Sequence, residues 1–377
     1  MPAPVAESCP PITIIDTVVG RRPGGHQADY LAALEDALGP MASESFAPFR
    51  NGANTALLTS RWRRLEYLLS RFRALAARSS ADGRAILILP NPDFVDFVAA
   101  FLAVRLRLRA PAAVFLFVLR RGASGIVGRS GWKSTALEKI VRRLARRGHL
   151  HPVSDSRSAL SFWEGLTGVP GSLVTIPVRE RPADIPPKAE GEAVRFGLVG
   201  LFRPEKGAAF YSRVIDAALD LPGPAQIDVQ LPDTAADDSF PEAAALRLAH
   251  RNTDAVRFLN GHLDNDAFTR LVSGIDVLVL PYDIESYGTG TSGIMHEVLP
   301  LGGCVVTTRF TWAVDEFADD SRVLWLDSLD PGHLREKLSE ARQIAESARK
   351  AANRAHTPSP ETFREGWLSA IDRATSS

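Results

Sequence analysis

The sequence predicts an α/β protein made of two Rossmann-like, doubly wound domains that face a central cleft. Apolar strand candidates alternate with amphipathic helical stretches in the first half of the chain. A stretch rich in proline and charge interrupts this alternation, which then restarts. Continuous apolar strands separated by amphipathic helices are typical of a parallel sheet covered by helices on both faces. Ligands of such sheets bind at the carboxyl ends of the strands, so a cleft between two units is the expected site.

The first domain is predicted over residues 1–186. Its strand candidates are the apolar runs at 12–19, 85–90, 112–119 and 173–178. Helical stretches are predicted between them at 26–38, 60–78 and 133–148. In the second of these, leucine and phenylalanine recur at helical spacing from Leu65 to Leu75, which indicates one apolar face.

Residues 178–193, VRERPADIPPKAEGEA, show neither helical nor strand periodicity and are predicted to form the linker. The second domain is predicted over residues 187–356. Its strand candidates lie at 194–202, 226–232, 255–261, 277–282, 304–309 and 322–326. Residues 357–377 contain a closing helix that could pack across both domains.

Length and composition fit a two-domain globular protein. The chain has 377 residues, of which 45% are hydrophobic and 23% charged. No apolar run reaches the length of about 18 residues expected of a membrane-spanning helix. Cys9 and Cys304 are the only cysteines, so a disulfide scaffold is not expected. Their spacing is not that of metal ligands. The beginning MPAPVAESCPP does not resemble a signal peptide, so the predicted compartment is the cytoplasm.

Charge is unevenly distributed along the chain. Residues 1–190 hold 26 Lys+Arg against 16 Asp+Glu, a net +10, and the remainder holds 18 against 28, a net −10. Within 101–150 there are 12 basic residues, and Glu138 is the one acidic residue. Two interpretations stay open, a solvated basic face and a surface that binds anionic lipid or an acidic acceptor. Nucleic acid is not expected, because aromatic residues do not interleave with this cluster.

The basic stretch 120–147 also suggests peripheral contact with an anionic membrane at the inner face. Its helical part places four apolar residues on one side, with arginines beside them, namely Leu137, Ile140, Val141 and Leu144. This pattern suits an interfacial helix, and it suits a core-facing helix equally well.

The first candidate binding segment is GLVGLFRPEKG, residues 197–207. A strand is predicted to end near Phe202 and a helix to begin near Lys206, so Arg203 and Lys206 project from the turn. Two cations beside the amides of a helix start suit a diphosphate. Neither the GxGxxG fingerprint nor a Walker Lys-Ser/Thr pair is present. Taken alone, the segment is a weak signal, and a solvated Arg/Lys turn is the favoured interpretation.

The second segment is ESYGTGTSGIMHE, residues 285–297, which follows the apolar run VLVLPY. Glycine lets a ligand approach the backbone, and Thr or Ser can cap a helix or donate to a phosphate oxygen. Glu297 lies one helical turn beyond Gly293, where a carboxylate can accept from the hydroxyls of a ribose. The alternative is a mobile loop with an exposed glutamate. The apolar VLPL after Glu297 weighs against it.

Two further sets of residues could carry chemistry. In RRPGGHQADYLAAL, residues 21–34, a Gly-Gly turn and a helix start place Gly24, Gly25 and His26 toward the other domain. His26 is a candidate acceptor or sugar contact, although it also suits the first turn of a helix. Asp264 and Asp266 could be misread as a metal pair, but a helix N-cap is the favoured role. No metal site is predicted.

Together these segments resemble the retaining, nucleotide-sugar-dependent glycosyltransferases of the GT-B type, a large bacterial family. FGLVGLFRPEKG resembles the segment that opens the donor domain of that family. AVRFLNGHLDNDAFTRLVSGIDVLVLPY and SGIMHEVLPLGGCVVTT resemble the segments that lead into and hold the nucleotide. RRPGGHQADYLAAL and LHPVSDSRSALSFWEGL resemble parts of the acceptor domain. The resemblance implies that residues 1–186 bind the acceptor and residues 187–356 bind the donor.

The resemblance also implies roles for individual residues. Arg203 and Lys206 would neutralise the diphosphate. Ser292 and Gly293 would bind phosphate oxygens through a hydroxyl and a backbone amide, and Glu297 would hold the ribose. No second catalytic carboxylate pair is evident, which fits a front-face, metal-independent reaction in which the departing phosphate oxygen helps deprotonate the acceptor.

One departure from the family concerns the donor sugar. Many relatives carry a glutamate about eight positions before the second one, but this chain has Thr289 there, and Glu285 lies farther off. Sugar recognition would then run through Thr289, Thr291 and backbone groups, with Glu285 as a possible further contact. Gly24 and Gly25 would let the donor phosphate or the acceptor approach.

The implied function is transfer of a sugar from a nucleoside diphosphate sugar to a glycan, a lipid-linked acceptor or a small molecule, as in polysaccharide biosynthesis. The nucleotide sugar is a co-substrate, and no other cofactor is expected. Two alternatives share the fold. One is a non-catalytic partner protein that binds a nucleotide sugar or glycan, and the other is a nucleotide-sugar epimerase.

Overall fold

The computed structural model describes residues 12–16, 26–39, 41–46, 60–78, 85–106, 114–118, 131–177, 191–287, 292–351 and 360–376. The chain forms two compact units. One comprises residues 1–177 together with 358–377, and the other comprises 178–357. The division falls at the start of the proline-rich stretch from which the linker was predicted. The C-terminal helix belongs to the first unit.

The first unit is a parallel sheet with helices on both faces. Its described elements in chain order are β1 (Ile12–Ile15), α1 (His26–Leu38), β2 (Ala42–Phe46), α2 (Arg61–Arg78), β3 (Ile86–Leu89), α3 (Phe94–Arg105), β4 (Val114–Val118), α4 (Trp132–Ala145), β5 (Leu150–Ser154), α5 (Arg157–Thr167), β6 (Ser172–Leu173) and, from the end of the chain, α13 (Pro360–Ser376). The strand order is β2-β1-β3-β4-β5-β6. β2 was not predicted, because ASESF lacks an apolar pattern. It is an edge strand that pairs with β1.

Alternation along the strands divides the first core into two layers. Ile86 and Ile88 of β3 pack with α1 and α13 on one face, whereas Leu87 and Leu89 pack with α2, α3, α4 and α5 on the other. In α13, Trp367 is fully buried. Each face of the sheet therefore has its own helical cover, as continuous apolar strands predict.

Helix α4 settles an alternative left open by the sequence. Leu137, Val141 and Leu144 are all buried in the core of the first unit. The arginines at the end of the helix are exposed. The apolar side of α4 is therefore the core-facing side, and it is not available to a lipid surface. Among the described residues, no helix combines the length and the apolar character needed to cross a bilayer.

The second unit is also a parallel sheet. Its described strands and α-helices in chain order are β7 (Val194–Leu198), α6 (Tyr211–Leu219), β8 (Ala225–Leu231), α7 (Pro241–Ala249), β9 (Val256–Asn260), α8 (Asn265–Ser273), β10 (Val277–Leu280), α9 (Ile284–Tyr287), α10 (Gly293–Val298), β11 (Cys304–Thr308), α11 (Thr311–Phe317), β12 (Val323–Leu326) and α12 (Pro331–Ala351). The strand order is β12-β11-β10-β7-β8-β9.

This strand order creates a topological switch point between β7 and β10, which are neighbours in the sheet. After β7 the chain proceeds outward through β8 and β9, and after β10 it proceeds the opposite way through β11 and β12. The connections that leave the carboxyl ends of β7 and β10 therefore diverge and leave a crevice between them. Open α/β sheets bind their ligands at this place.

Candidate functional site

The connection after β7 carries the two predicted cations. Arg203 precedes a short 3₁₀ helix, Pro204–Lys206, and Gly207 follows it in the left-handed conformation with φ 77°. Proline at the first position fixes the backbone for this turn. Arg203 is about half exposed, and its Nη1 lies 3.6 Å from Glu205 Oε1. The guanidinium is therefore accessible to a ligand.

The turn after β7 is held directly against the chain that leaves β10. The amide of Asp283 donates to the carbonyl oxygen of Glu205 at 3.1 Å. A Cβ placed on Gly207 would lie 1.8 Å from the carbonyl oxygen of Pro281, so only glycine fits there. Backbone thus packs on backbone across the switch point. This contact fixes where Lys206 can reach.

Lys206 reaches the aromatic side chain that follows β10. Its Nζ lies 5.7 Å from the ring centroid of Tyr282, a cation–π distance. The Tyr282 hydroxyl lies 3.2 Å from Ser292 Oγ, within hydrogen-bonding distance. Tyr282 and Ser292 are both buried. One side chain therefore connects the predicted phosphate-binding lysine to the predicted phosphate-binding turn.

A cluster of aromatic rings supports this arrangement. The rings of Tyr282 and Tyr287 are 4.2 Å apart, and both contact Phe310, at 5.5 and 5.2 Å. Burial raises the pKa of the Tyr287 hydroxyl far above its ordinary value, and the neighbouring Tyr282 raises this pKa further. Tyr287 also hydrogen-bonds Ser292, and the charge of Arg203 acts on it. The Tyr287 hydroxyl thus stays protonated and can donate.

Helix α10 begins at Gly293, with Ser292 as its N-cap. The Ser292 side chain makes no hydrogen bond to the helix start, because it is engaged by the tyrosines. Glu297 lies one turn later and is buried, with 7% of its surface exposed. The alternative of an exposed glutamate is therefore wrong. A carboxylate held at a fixed place beside the turn is what ribose recognition requires.

Sequence reasoning missed Gln230, near the end of β8. Its Oε1 accepts from the amide of Gly200 at 2.9 Å, and its Nε2 donates to the carbonyl oxygen of Gly261 at 3.2 Å. Gly200 has φ 111°, and Lys206 Nζ lies 3.4 Å from where a Cβ would be. The buried amide of Gln230 therefore ties together the chain after β7 and the chain after β9. The strand sequence AQIDVQL alternates apolar and polar residues, so no local signal distinguished Gln230 from Gln226 or Asp228.

The remaining predicted residues are placed as follows. Gly24, Gly25, Thr289 and Thr291 lie outside the described residues. His26 is the first residue of α1. Glu285 is exposed in the first turn of α9, and its amide donates to Asp283 Oδ1 at 3.1 Å.

The acidic residues considered as a metal pair have a structural role. Asp264 is the N-cap of α8, and its Oδ1 accepts from the amide of Ala267 at 2.8 Å. Asp266 follows in the first turn of the same helix. Within the residues that the structure describes, no group of three His, Cys, Asp or Glu side chains is arranged to hold a metal ion.

Comparison with solved structures identifies the fold. HepE from Anabaena, in complex with UDP and glucose, superposes with a TM-score of 0.62 and 14% identity over 96% of this chain and 99% of that chain. A glycosyltransferase from Rickettsia africae superposes with a TM-score of 0.63 and 11% identity over 96% of this chain and 97% of that chain. TarM from S. aureus, in a complex that includes UDP, superposes with a TM-score of 0.53 and 10% identity. The TarM match covers 81% of this chain but only 59% of the TarM chain. The chain has the GT-B fold.

The same fold also includes another kind of enzyme. A putative UDP-N-acetylglucosamine 2-epimerase from Listeria monocytogenes matches with a TM-score of 0.55 and 13% identity over 96% of this chain and 95% of that chain. No protein-family model and no curated protein sequence matches this chain. At these identities the comparisons establish the fold, and function has to be argued from the site.

Proposed function

We propose that this protein is a glycosyltransferase that takes a sugar from a nucleoside diphosphate sugar and transfers it to an acceptor hydroxyl. One observation carries the proposal. At the switch point of the second unit, the Lys206 ammonium lies against Tyr282, whose hydroxyl contacts Ser292 at the start of α10. A lysine and a helix-start turn are thus brought to one crevice from the ends of two strands. The structural neighbours with bound UDP support a diphosphate ligand there.

The site would act by stabilising the leaving group. When the bond between the sugar and the diphosphate breaks, negative charge develops on the diphosphate oxygens. Arg203 and Lys206 are cations on a turn that is already fixed by its contact with Pro281 and Asp283. Interactions that strengthen as charge develops lower the barrier, and fixed groups do so without reorganisation.

Nucleotide recognition would use the start of α10. Ser292 and Gly293 would contact phosphate oxygens, and the buried carboxylate of Glu297 would accept from ribose hydroxyls. Thr289 and Thr291, with backbone groups, would contact the donor sugar, and Glu285, which is exposed in the first turn of α9, would be a further contact to the acceptor or the sugar. Binding of phosphate would draw Ser292 from its tyrosine partners, so the aromatic cluster would adjust when the donor binds.

The first unit would bind the acceptor, with His26 as a candidate contact to the acceptor or the sugar. Gly24 and Gly25 would let the donor phosphate or the acceptor approach. We propose that the transfer retains the anomeric configuration and needs no metal. In this route the glycosidic bond to the diphosphate breaks, the acceptor oxygen attacks from the same face, and its proton passes to the departing phosphate oxygen. The acceptor would be a glycan, a lipid-linked acceptor or a small molecule, and the reaction would serve polysaccharide biosynthesis.

A thermal-shift series tests the donor. UDP, GDP, ADP and dTDP would be added in turn, and only the cognate nucleoside diphosphate should raise the melting temperature strongly. Donor hydrolysis or transfer with the matching nucleotide sugar supports the enzyme. Binding without turnover would favour the non-catalytic partner protein. Epimerisation of the sugar of the nucleotide sugar, without an acceptor, would favour the epimerase.

Replacing Lys206 by Ala tests the site itself. We expect turnover to fall by about a hundredfold or more, because a positioned cation that stabilises developing charge is removed. The stabilisation by the cognate nucleotide should shrink in the same variant. Lys337→Ala is the matched control, since Lys337 lies on α12 of the same unit and pairs with Glu340 at the surface. Near-normal turnover in Lys206→Ala would contradict the assignment.

Peripheral contact with an anionic membrane also forms part of the proposal. The described part of the basic stretch is α4 and the turn after it, which expose five basic residues besides Lys133, namely Lys139, Arg142, Arg143, Arg146 and Arg147. Because the apolar side of α4 is buried, this contact would be electrostatic at α4 and should weaken with added salt.

A further inference from the structure

Two tryptophans of the first unit are almost fully in solvent. Trp62 is 79% exposed and Trp132 is 71% exposed. Trp163 and Trp367, in the same unit, are at most 1% exposed. A single exposed apolar side chain is ordinary, but a ring of this size in water is unfavourable unless something covers it. Two such exposed indoles in one unit indicate a surface that contacts another molecule.

Both tryptophans lie at the same edge of the first unit. Trp62 is in the first turn of α2, and Trp132 is the first residue of α4. These helices connect parallel strands of one sheet, so both begin at the edge where the strands have their carboxyl ends. α3, which packs against α2 and α4, begins there too.

Side-chain contacts locate the two indoles more closely. Buried Arg64, two residues after Trp62, forms an ion pair with Asp93, the N-cap of α3. Phe94 follows Asp93, and its ring lies edge-on to Trp132 with centroids 6.1 Å apart. Trp62 and Trp132 thus lie on the two helices that flank α3, at the edge where all three helices begin. We name this edge, with its two indoles, the tryptophan rim.

The surroundings of the tryptophan rim are basic. Arg61 and Arg63 flank Trp62 and are exposed. Lys133 Nζ lies 5.8 Å from the Trp132 ring centroid. The exposed side of α4 continues with the basic residues named above. Among the described side chains of α2, α3 and α4, Glu66 is the one exposed carboxylate, Asp96 is buried and Glu138 is half-buried.

We propose that the tryptophan rim docks on an anionic membrane surface, with Trp62 and Trp132 at the level of the lipid headgroups and the flanking cations on lipid phosphates. Tryptophan is enriched at membrane interfaces, because its ring is apolar and its N–H is polar. Each cation near an anionic surface strengthens binding by about fivefold. The excess of cations selects an anionic membrane over a neutral one or an apolar protein surface. This inference rests on the peripheral membrane contact proposed above and specifies its surface, and it does not depend on the sugar transfer.

The test is binding of the full chain to vesicles. We expect sedimentation with mixed phosphatidylglycerol and phosphatidylcholine vesicles and weak binding to phosphatidylcholine alone. Replacing one tryptophan, Trp62→Ala or Trp132→Ala, should weaken binding by about tenfold, and the double variant by about a hundredfold. Leu248→Ser is the matched control, because Leu248 is 64% exposed on α7 of the second unit. Added salt should weaken wild-type binding without abolishing it, since the tryptophan contribution is not electrostatic.

Fluorescence gives a second measurement. Lipids brominated near the headgroup should quench the wild-type protein, and the quenching should be lost in Trp62→Phe/Trp132→Phe, which keeps the rings but removes both indoles. Unchanged vesicle affinity in the double alanine variant would overturn the proposal, as would a wild type that ignores anionic vesicles. A concentration-dependent dimer that disappears in the same variant, without vesicle binding, would overturn it in favour of contact between two copies of the chain.

Discussion

Both units are parallel sheets with one switch point, but they differ in strand order and in the chemistry at that point. In the first unit the switch point lies between β1 and β3, in the second between β7 and β10. After β1, buried Asp16 accepts from Asn91 Nδ2 at 2.6 Å, so this switch point presents a carboxylate and an amide. The corresponding place in the second unit presents Lys206 over the Tyr282 ring, whose hydroxyl contacts Ser292. The strand order therefore predicts the position of a ligand site, and the side chains that follow the strands determine which ligand chemistry the site suits.

The charge of each half shows that this chemistry is local. The net −10 half of the chain carries the proposed diphosphate site, and the net +10 half does not. On net charge alone, an anionic diphosphate would be expected to bind the positively charged half. Short-range contacts from Arg203 and Lys206 must therefore attract the anion, because interactions over more than about 8 Å are largely screened at physiological salt.

Two glycines test whether the second switch point is as tightly built as its contacts indicate. Gly207 and Gly148, one in each unit, both have positive φ, 77° and 69°. A Cβ at Gly148 would meet nothing within 4 Å, whereas a Cβ at Gly207 would overlap the carbonyl of Pro281. Gly148→Ala should cost about 1 kcal/mol of unfolding free energy, from backbone strain alone. Gly207→Ala should cost about 4 kcal/mol or more, since the backbone must also move.

Urea unfolding monitored by circular dichroism gives both values. Gly207→Ala should also weaken stabilisation by the cognate nucleotide, because Lys206 precedes the displaced residue. Equal costs at the two glycines would show that the turn after β7 is free to move, and the argument for a fixed cation would fail.

The sequence predicted the fold class but missed one strand and left the orientation of one helix open. Alternation of apolar strands and amphipathic helices was sufficient for the α/β class, because both sheets are parallel and covered on both faces. β2 escaped prediction, since its polar sequence carries no burial signal. The orientation of α4 was left open because Leu137 and Val141 form an apolar stripe whether a helix faces a core or a lipid.

At the candidate site, residue type was predictable and contact was not. The segments that carry Arg203, Lys206, Ser292 and Glu297 each suit a phosphate or ribose. Lys206 reaches Ser292 through Tyr282 because β7 and β10 are neighbours in the sheet. A local sequence pattern does not predict which strands pair. Gln230 was missed for the same reason, since its role consists of contacts with two other connections.

Acidification should destabilise the first unit, because it contains a buried histidine with a lowered pKa. His151 Nε2 lies 2.8 Å from Ser172 Oγ. Burial, reinforced by Arg373, lowers the pKa of His151 from 6.5 to about 4. The unfolded chain binds a proton near the upper value and the folded chain only near the lower one. Stability is therefore complete above 6.5 and is lost as pH falls through this interval, by about 3 kcal/mol at most.

The measurement is urea unfolding at several pH values for the wild type and His151→Gln, whose amide can still bond Ser172 but does not titrate. The variant should lose less stability over the same interval. Parallel pH curves for the two proteins would show that His151 is not the acid-sensitive group of the first unit.

Gln230 gives the smallest expected effect and the sharpest test of positioning in the second unit. Gln230→Leu keeps the volume but leaves the amide of Gly200 and the carbonyl of Gly261 without their partner. We expect a loss of about 1–3 kcal/mol in unfolding free energy. If Gln230 positions the connection that holds Lys206, the donor KM should also rise, by about tenfold, with a smaller change in kcat. Gln226→Leu is the matched control, because Gln226 lies at the other end of β8 and accepts from Arg195.

Gln230→Glu adds a readout that a purely structural role would not give. A carboxylate at position 230 can still accept from the amide of Gly200, but it repels the carbonyl oxygen of Gly261. Once protonated, the carboxyl group can donate to that oxygen as the native amide does. The donor KM of Gln230→Glu should therefore approach the wild-type value as pH falls. A KM deficit that stays constant with pH, or one shared by Gln226→Leu, would leave Gln230 as an ordinary contributor to stability, and the second switch point would owe its geometry to the backbone contact at Gly207.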